Sequence, residues 1–122
     1  MSALTPQAKL LFTIGLCARA RKLVMGTPMV CEALRKGGKT PILAVLEAAD
    51  TSANTHARLT SKCAYYKKPL YRLPATTEEL AHAIGKSAAV AAVGVTDPDL
   101  LRALTPNLPA PEPLPERQAD SE

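Results

Sequence analysis

Short apolar runs alternate with longer segments of periodic apolar residues along most of this chain. In the longer segments, apolar residues recur at intervals of about three to four, the spacing that one buried helix face requires. The short runs are continuous and fit strands that are covered on both faces. Helix and strand therefore alternate, with five helices and four strands. This order favours an α/β fold with one central sheet and helices on both faces.

Cap residues and prolines mark the starts of the predicted helices. A Ser, Thr or Asp side chain can accept a hydrogen bond from a first-turn amide, and Pro suits that turn because it lacks an N–H. Helices are predicted to begin near residues 6, 28, 53, 77 and 98, with Thr27 as the cap of the second. The predicted strands are Lys22–Gly26, Ile42–Leu46, Leu70–Leu73 and Val90–Val95.

Charge and proline content divide the chain at Pro106. Residues 1–105 carry 14 Lys and Arg against seven Asp and Glu, a net charge of +7, whereas residues 106–122 carry −3 and five of the 11 prolines. About 105 residues is an ordinary size for one domain. The tail has too little apolar surface to offset the entropy lost on ordering. We predict one domain over residues 1–105 and an acidic, proline-rich, disordered tail over residues 106–122.

The composition excludes several protein classes. No apolar run approaches the ~20 residues of a membrane span, and the first 20 residues lack the pattern of a signal peptide. Cys17, Cys31 and Cys63 are odd in number and lack the paired spacing of a zinc site, which fits a reducing compartment. We expect a cytoplasmic, monomeric protein that uses no metal or cofactor.

Six of the bases lie between residues 19 and 39, where the only acid is Glu32. Clustered Lys and Arg neutralise the phosphates of nucleic acids, and Lys22 and Lys36 are candidates for that contact. The alternative is that these cations serve solubility and complement helix dipoles. Because the elements that carry them have two ends, the cluster can also form two patches.

Other motifs give little support to catalysis. Gly85-Lys86-Ser87 resembles the end of a phosphate-binding P-loop, but Leu80 stands where that loop needs Gly and a helix precedes it. The polar run over residues 50–55 supplies helix caps. The sequence places no catalytic partner near His56 or His82. The turn Gly26-Thr27-Pro28 could bind an anion at a helix start, although any strand-to-helix turn needs such residues.

Four segments resemble the ribosomal L7Ae/L30e family, in order and in one register over residues 4–105. They are Ile14–Gly26, Asp50–Thr55, Leu80–Ser87 and Val90–Asp97. The small bacterial, ribosomal-protein-like members are the most similar. The resemblance implies a three-layer α/β/α sandwich with a four-stranded mixed sheet. It also implies binding to kink-turn RNA, an internal bend flanked by sheared G·A pairs.

The family motif for RNA contact, G-x-N-E-x-x-K, is altered in this chain. Pro28 and Met29 replace the Asn and Glu that reach guanine edges, so side-chain readout of bases is lost there. Glu32 places a negative charge where the family has a phosphate-binding Lys. The second contact region keeps small residues but lacks an Arg at Ala88. The RNA-contact residues implied by the resemblance are Gly26, Thr27, Pro28, Met29, Glu32, Lys86, Ser87 and Ala88.

Two hypotheses follow, and a small enzyme or nucleotide binder is a distant third. The first is a non-enzymatic, ribosomal-protein-like protein that binds structured RNA, such as a kink-turn or ribosomal RNA, in a ribonucleoprotein. The alternative is a protein-interaction module on the same fold with reduced RNA specificity. In that case Pro28 and Met29 belong to an apolar contact patch, and the acidic tail binds a partner or masks the basic surface.

Overall fold

The computed structural model describes residues 5–115, and its elements occur in the predicted order. The helices are α1 (Pro6–Arg19), α2 (Thr27–Lys36), α3 (Ala53–Tyr66), α4 (Thr77–Ala83) and α5 (Pro98–Leu104). The strands are β1 (Leu23–Met25), β2 (Ala44–Glu47), β3 (Leu70–Arg72) and β4 (Ala92–Val95), and a 3₁₀ turn (Thr105–Asn107) follows α5. The largest difference from the sequence prediction is in β2, which begins two residues later and includes Glu47.

Side-chain caps begin four of the five helices. Thr5, Ser52, Thr76 and Asp97 each accept a hydrogen bond from a first-turn amide of α1, α3, α4 or α5. The predicted cap at Thr27 is wrong. Gly26 occupies that position with φ of 91° and makes no side-chain hydrogen bond, so α2 begins one residue earlier than predicted.

The sheet has the strand order β1-β4-β2-β3, with β2 and β3 parallel and the other pairs antiparallel. Alternate residues of each strand point to opposite faces. Val45 packs with residues of α2 and α3, whereas Leu46 packs with residues of α1, α4 and α5. The result is a three-layer α/β/α sandwich around a four-stranded mixed sheet, which confirms the predicted fold class.

Helix α1 comes very close to α4 at Gly15. A Cβ atom added to Gly15 would lie 2.8 Å from the carbonyl oxygen of Ala83, a backbone atom that cannot rotate away. We therefore expect Gly15→Ala to lower the free energy of unfolding by about 1–2 kcal/mol, because overpacking outweighs the gain in helix propensity. Urea denaturation measures this change. Helix propensity alone predicts that Gly15→Ala raises the free energy of unfolding. A stabilised variant would therefore show that α1 does not approach α4 this closely.

The first part of the segment for which the sequence predicts disorder makes contacts with the domain. Leu108 packs with the α1, α4 and α5 side of the core, and Leu114 packs with the α2 and α3 side. The amide of Glu112 donates to the carbonyl of Leu70, at 2.7 Å. The remainder of the predicted tail, residues 116–122, lies outside the described residues, as do residues 1–4.

Candidate nucleic-acid interface

The sheet brings the start of α2 beside the loop that precedes β4. Because β1 and β4 are antiparallel, Met25 pairs with Val93, and the Gly26 amide donates to the Ala92 carbonyl at 2.8 Å. The segment Gly26–Met29 therefore lies at the end of the sheet where the Lys86–Val90 loop leads into β4. Together the two segments contain most of the RNA-contact residues implied by the sequence. We call these two segments the candidate rim.

The candidate rim combines backbone donors with exposed small and apolar side chains. No side chain caps α2, so the first-turn amides of Thr27 and Met29 lack a side-chain acceptor at the positive end of the helix, and Pro28 between them has no N–H. Pro28 is exposed, and Met29 is 58% exposed. The four residues from Lys86 to Ala89 are exposed as well. Such a surface can meet a phosphate through the backbone and a base face through apolar contact.

Three of the predicted contact residues lie outside the candidate rim: Lys22, Glu32 and Lys36. The carbonyl of Lys22 accepts from the amide of Thr96, which places Lys22 at the opposite end of β1 from Gly26. Lys36 ends α2, and a helix of ten residues is about 15 Å long. The structure therefore separates Lys22 and Lys36 from the two segments of the candidate rim.

Glu32 lies in the second half of α2, and its carboxylate is paired within the helix. Arg35 Nη2 donates to Glu32 Oε2 at 2.7 Å, and Lys36 Nζ lies 3.7 Å from the same oxygen. The hydrogen bond from Arg35 lowers the pKa of Glu32, with smaller contributions from the charges of both cations. Glu32 therefore stays ionised and keeps its negative charge near a surface where the family motif has a cation.

The bases between residues 19 and 39 gather at the end of the sheet opposite the candidate rim. Helices α1, α2 and α3 end there, and the segments that lead into β1, β2 and β3 begin there. We call the group of eight cations at these positions the basic end. Its members are Arg19, Arg21, Lys22, Arg35, Lys36, Lys39, Lys67 and Lys68.

A buried carboxylate at the end of β2 was not predicted from the sequence. Glu47 has no exposed surface, and its carboxylate accepts from the hydroxyl of Thr51. His56 Nδ1 lies 2.8 Å from Glu47 Oε1, and His56 Nε2 lies 3.9 Å from Glu112 Oε1. The available signal was a glutamate at the end of an apolar run, followed by Thr four residues later and His nine residues later.

Hydrogen bonds of the backbone and of cap residues hold the loop between β2 and α3 beside the segment that leads into β4. The amide of Ala48 donates to the carbonyl of Ala91, at 2.8 Å. Asp50 accepts from the amide of Thr77 at 2.7 Å, and Ser52 caps α3. The polar run over residues 50–55 therefore caps helices, as predicted. Its hydrogen bonds also hold the loop between β2 and α3 beside the end of the Lys86–Val90 loop.

The described residues contain no arrangement that suggests metal or thiol chemistry. Among residues 5–115, no group of three or more His, Cys, Asp and Glu is placed to hold a metal ion. The three cysteines are buried, and burial raises the pKa of Cys63 to about 12. Burial also raises the pKa of Cys17, so the thiols of Cys17 and Cys63 stay protonated near neutral pH and are poor nucleophiles. No helix in the same range is long and apolar enough to span a membrane.

Comparison with known proteins gives a match over most of the domain. The model of the ribosomal protein L7Ae/L30e/S12e/Gadd45 family matches residues 8–105. The chain belongs to this family. The match confirms the resemblance found in the sequence, and it includes both segments of the candidate rim.

Two individual proteins that are similar to this chain are consistent with its membership of the L7Ae/L30e family. The RNA-binding protein YlxQ of Bacillus subtilis (strain 168) is 40% identical over 84 residues, which are 69% of this chain and 79% of YlxQ. A solved structure of a protein of unknown function from Bacillus halodurans superposes with a TM-score of 0.72 at 32% identity. That match covers 82% of this chain and 96% of the other. The family is named after ribosomal proteins, and YlxQ is named an RNA-binding protein. Both names agree with the prediction of a non-enzymatic protein.

Proposed function

We propose that this protein binds structured RNA through the candidate rim, as a non-enzymatic component of a ribonucleoprotein. The observation that carries the proposal is that Gly26–Met29 begins beside the point where the Lys86–Val90 loop leads into β4. These are the two segments that correspond to the RNA-contact regions of the family. A relative at 40% identity is named an RNA-binding protein, which adds support.

The side chains at the candidate rim favour contacts to RNA shape and backbone over readout of base edges. Pro28 and Met29 offer no hydrogen-bonding side chain, so guanine edges in a kink-turn would find no partners at these two positions. Backbone amides at the start of α2 and the ammonium of Lys86 can meet phosphates. We infer that the protein binds RNA with weak preference for kink-turns. Ribosomal RNA in the cytoplasm is the first target to test.

A titration with two RNAs tests the proposal. A kink-turn RNA and a plain duplex of equal length should bind within about tenfold of each other, and affinity should fall steeply with salt. Ala88→Glu places a carboxylate among phosphates at the rim, and we expect it to weaken binding of both RNAs at least tenfold. Ala103→Glu, on the exposed face of α5, is the matched control and should bind like wild type. Equal affinities of the two variants, or no binding by wild type, would contradict the proposal.

The second candidate function is docking of a protein partner at the same rim. It is favoured by one observation, the exposure of Met29 beside Pro28 in the first turn of α2. Exposed Met side chains are frequent at protein-binding surfaces, because the flexible thioether adapts to the shape of a partner. In the titration above, this function predicts that wild type leaves both RNAs unbound even at low salt.

A further inference from the structure

The basic end is assembled by the fold from parts of the chain that are distant in sequence. Lys22 leads into β1, and Lys39 lies in the loop before β2. Lys68 precedes β3, where the Pro69 carbonyl accepts from the Val45 amide. Three strand spacings separate β1 from β3, so these cations span about 14 Å across the sheet. A run of like charges along one helix would not reach this breadth.

Few carboxylates offset the positive charge at the basic end. Glu32 pairs with Arg35 and Lys36, and Asp97 lies 4.0 Å from Lys22. The remaining cations have no carboxylate of residues 5–115 within 4.0 Å. They are Arg19, Arg21, Lys39, Lys67 and Lys68. Uncompensated cations on one surface create the potential that attracts a polyanion.

Two of these cations occupy backbone positions that favour glycine. Arg21 has φ of 60° and Lys67 has φ of 59°, and they are the two non-glycine residues with positive φ among residues 5–115. They follow the ends of α1 and α3, where a left-handed glycine is the usual terminator. A cation placed only to complement a helix dipole could occupy a neighbouring position without this strain. Strained residues that persist in a fold are often retained for function.

We propose that the basic end is a second RNA-contact surface, which neutralises phosphates of a further segment of the structured RNA held at the candidate rim. This inference rests on the proposed function. The length of α2 separates the two surfaces by about 15 Å, so an RNA with two helical arms can reach both. Lys22 and Lys36, which the fold separates from the candidate rim, are assigned to this second surface.

A pair of substitutions to glycine separates RNA binding from folding. Arg21→Gly/Lys67→Gly removes two cations, while the backbone at both positions favours the new residue, so the unfolding midpoint should stay unchanged or rise. The matched control, Lys9→Ala/Arg58→Ala, removes the same charge from exposed positions in the first halves of α1 and α3. Affinity for a kink-turn RNA with extended arms is measured from about 50 to 300 mM KCl.

The expected result is a change in salt dependence that is specific to the glycine variant. Each lost phosphate contact lowers the slope of log K against log salt by about 0.7–0.9, so the glycine variant should lose about 1.4–1.8 and bind severalfold more weakly at low salt. The control variant should keep the slope of wild type. Equal slopes for the two variants, with RNA still bound by wild type, would overturn the second surface and leave the candidate rim intact.

Two further outcomes separate this inference from the proposed function. If wild type binds no RNA, the proposed function fails and the second surface fails with it. If the glycine variant loses affinity but Ala88→Glu does not, RNA contact at the basic end is supported and the candidate rim is wrong. Binding to phosphatidylserine vesicles that depends on Arg21 and Lys67, without an effect on RNA, would identify a lipid surface as the partner and overturn the inference.

Discussion

Replacing His56 with Ala should lower the free energy of unfolding by about 2–3 kcal/mol, because it leaves the fully buried carboxylate of Glu47 with one fewer partner. His56 Nδ1 lies 2.8 Å from one carboxylate oxygen and 3.0 Å from the other, and Thr51 supplies the remaining contact. Because His56 is 29% exposed, water can replace part of the lost contact. The expected loss of unfolding free energy therefore lies at or below the lower end of the range that is typical when one partner of a buried ionisable pair is removed.

Urea denaturation at neutral pH measures the effect. His82→Ala is the matched control, because His82 is exposed near the end of α4 and should change stability by less than about 0.5 kcal/mol. Glu47→Gln keeps the shape and one acceptor, and it should cost less than His56→Ala. Similar stabilities for the two histidine variants would show that water or Thr51 satisfies Glu47 without His56.

Restoring the family motif at the start of α2 should create preference for kink-turn RNA. In the triple variant Pro28→Asn/Met29→Glu/Glu32→Lys, two side chains gain the ability to bond guanine edges, and a phosphate meets a cation instead of an anion. A bidentate base contact is worth about 1–3 kcal/mol, so the kink-turn should gain about 10- to 100-fold over a duplex. The fold should tolerate the change, because Pro28 and Met29 are exposed and an acid suits the first turn of a helix.

The single variant Glu32→Lys is the control for charge in this experiment. It releases Arg35 and Lys36 from Glu32 and adds positive charge, so it should strengthen binding of both RNAs alike. Electrophoretic mobility shifts with the two RNAs measure both effects. If the triple variant gains no more selectivity than Glu32→Lys, base readout at this position of the fold is excluded.

The fold was largely predictable from local patterns in the sequence. The runs Ile42–Leu46 and Val90–Val95 have no polar side, which indicates strands that are covered on both faces. The two central strands, β2 and β4, are in fact buried along their whole length. The prediction of a cap at Thr27 failed because a glycine with positive φ can end a strand and begin a helix without a side-chain bond.

The candidate site was predictable only in part, because its geometry depends on sheet register. Sequence proximity grouped Lys22 with Gly26, but a strand of three residues carries the chain from one end of the sheet to the other. The sequence around Glu47 does not indicate its burial, since its side-chain partners come from the following loop and from α3. Leu108 and Leu114 are isolated apolar residues in a proline-rich segment, so the sequence does not predict that they pack. Their packing depends on the core surfaces that they contact.

The contact between Glu112 and Leu70 has a consequence for how the molecule behaves at high concentration. β3 is the outermost strand on its side of the sheet, and such a strand can template pairing with another chain and start aggregation. The amide of Glu112 occupies one of its open carbonyls. In an extended segment the neighbours of Glu112 point away from β3, and both are prolines, Pro111 and Pro113, which have no N–H to offer. The segment around Glu112 therefore covers part of the edge strand β3. Its own outer side lacks hydrogen-bond donors at Pro111 and Pro113, so a second molecule cannot pair with it there.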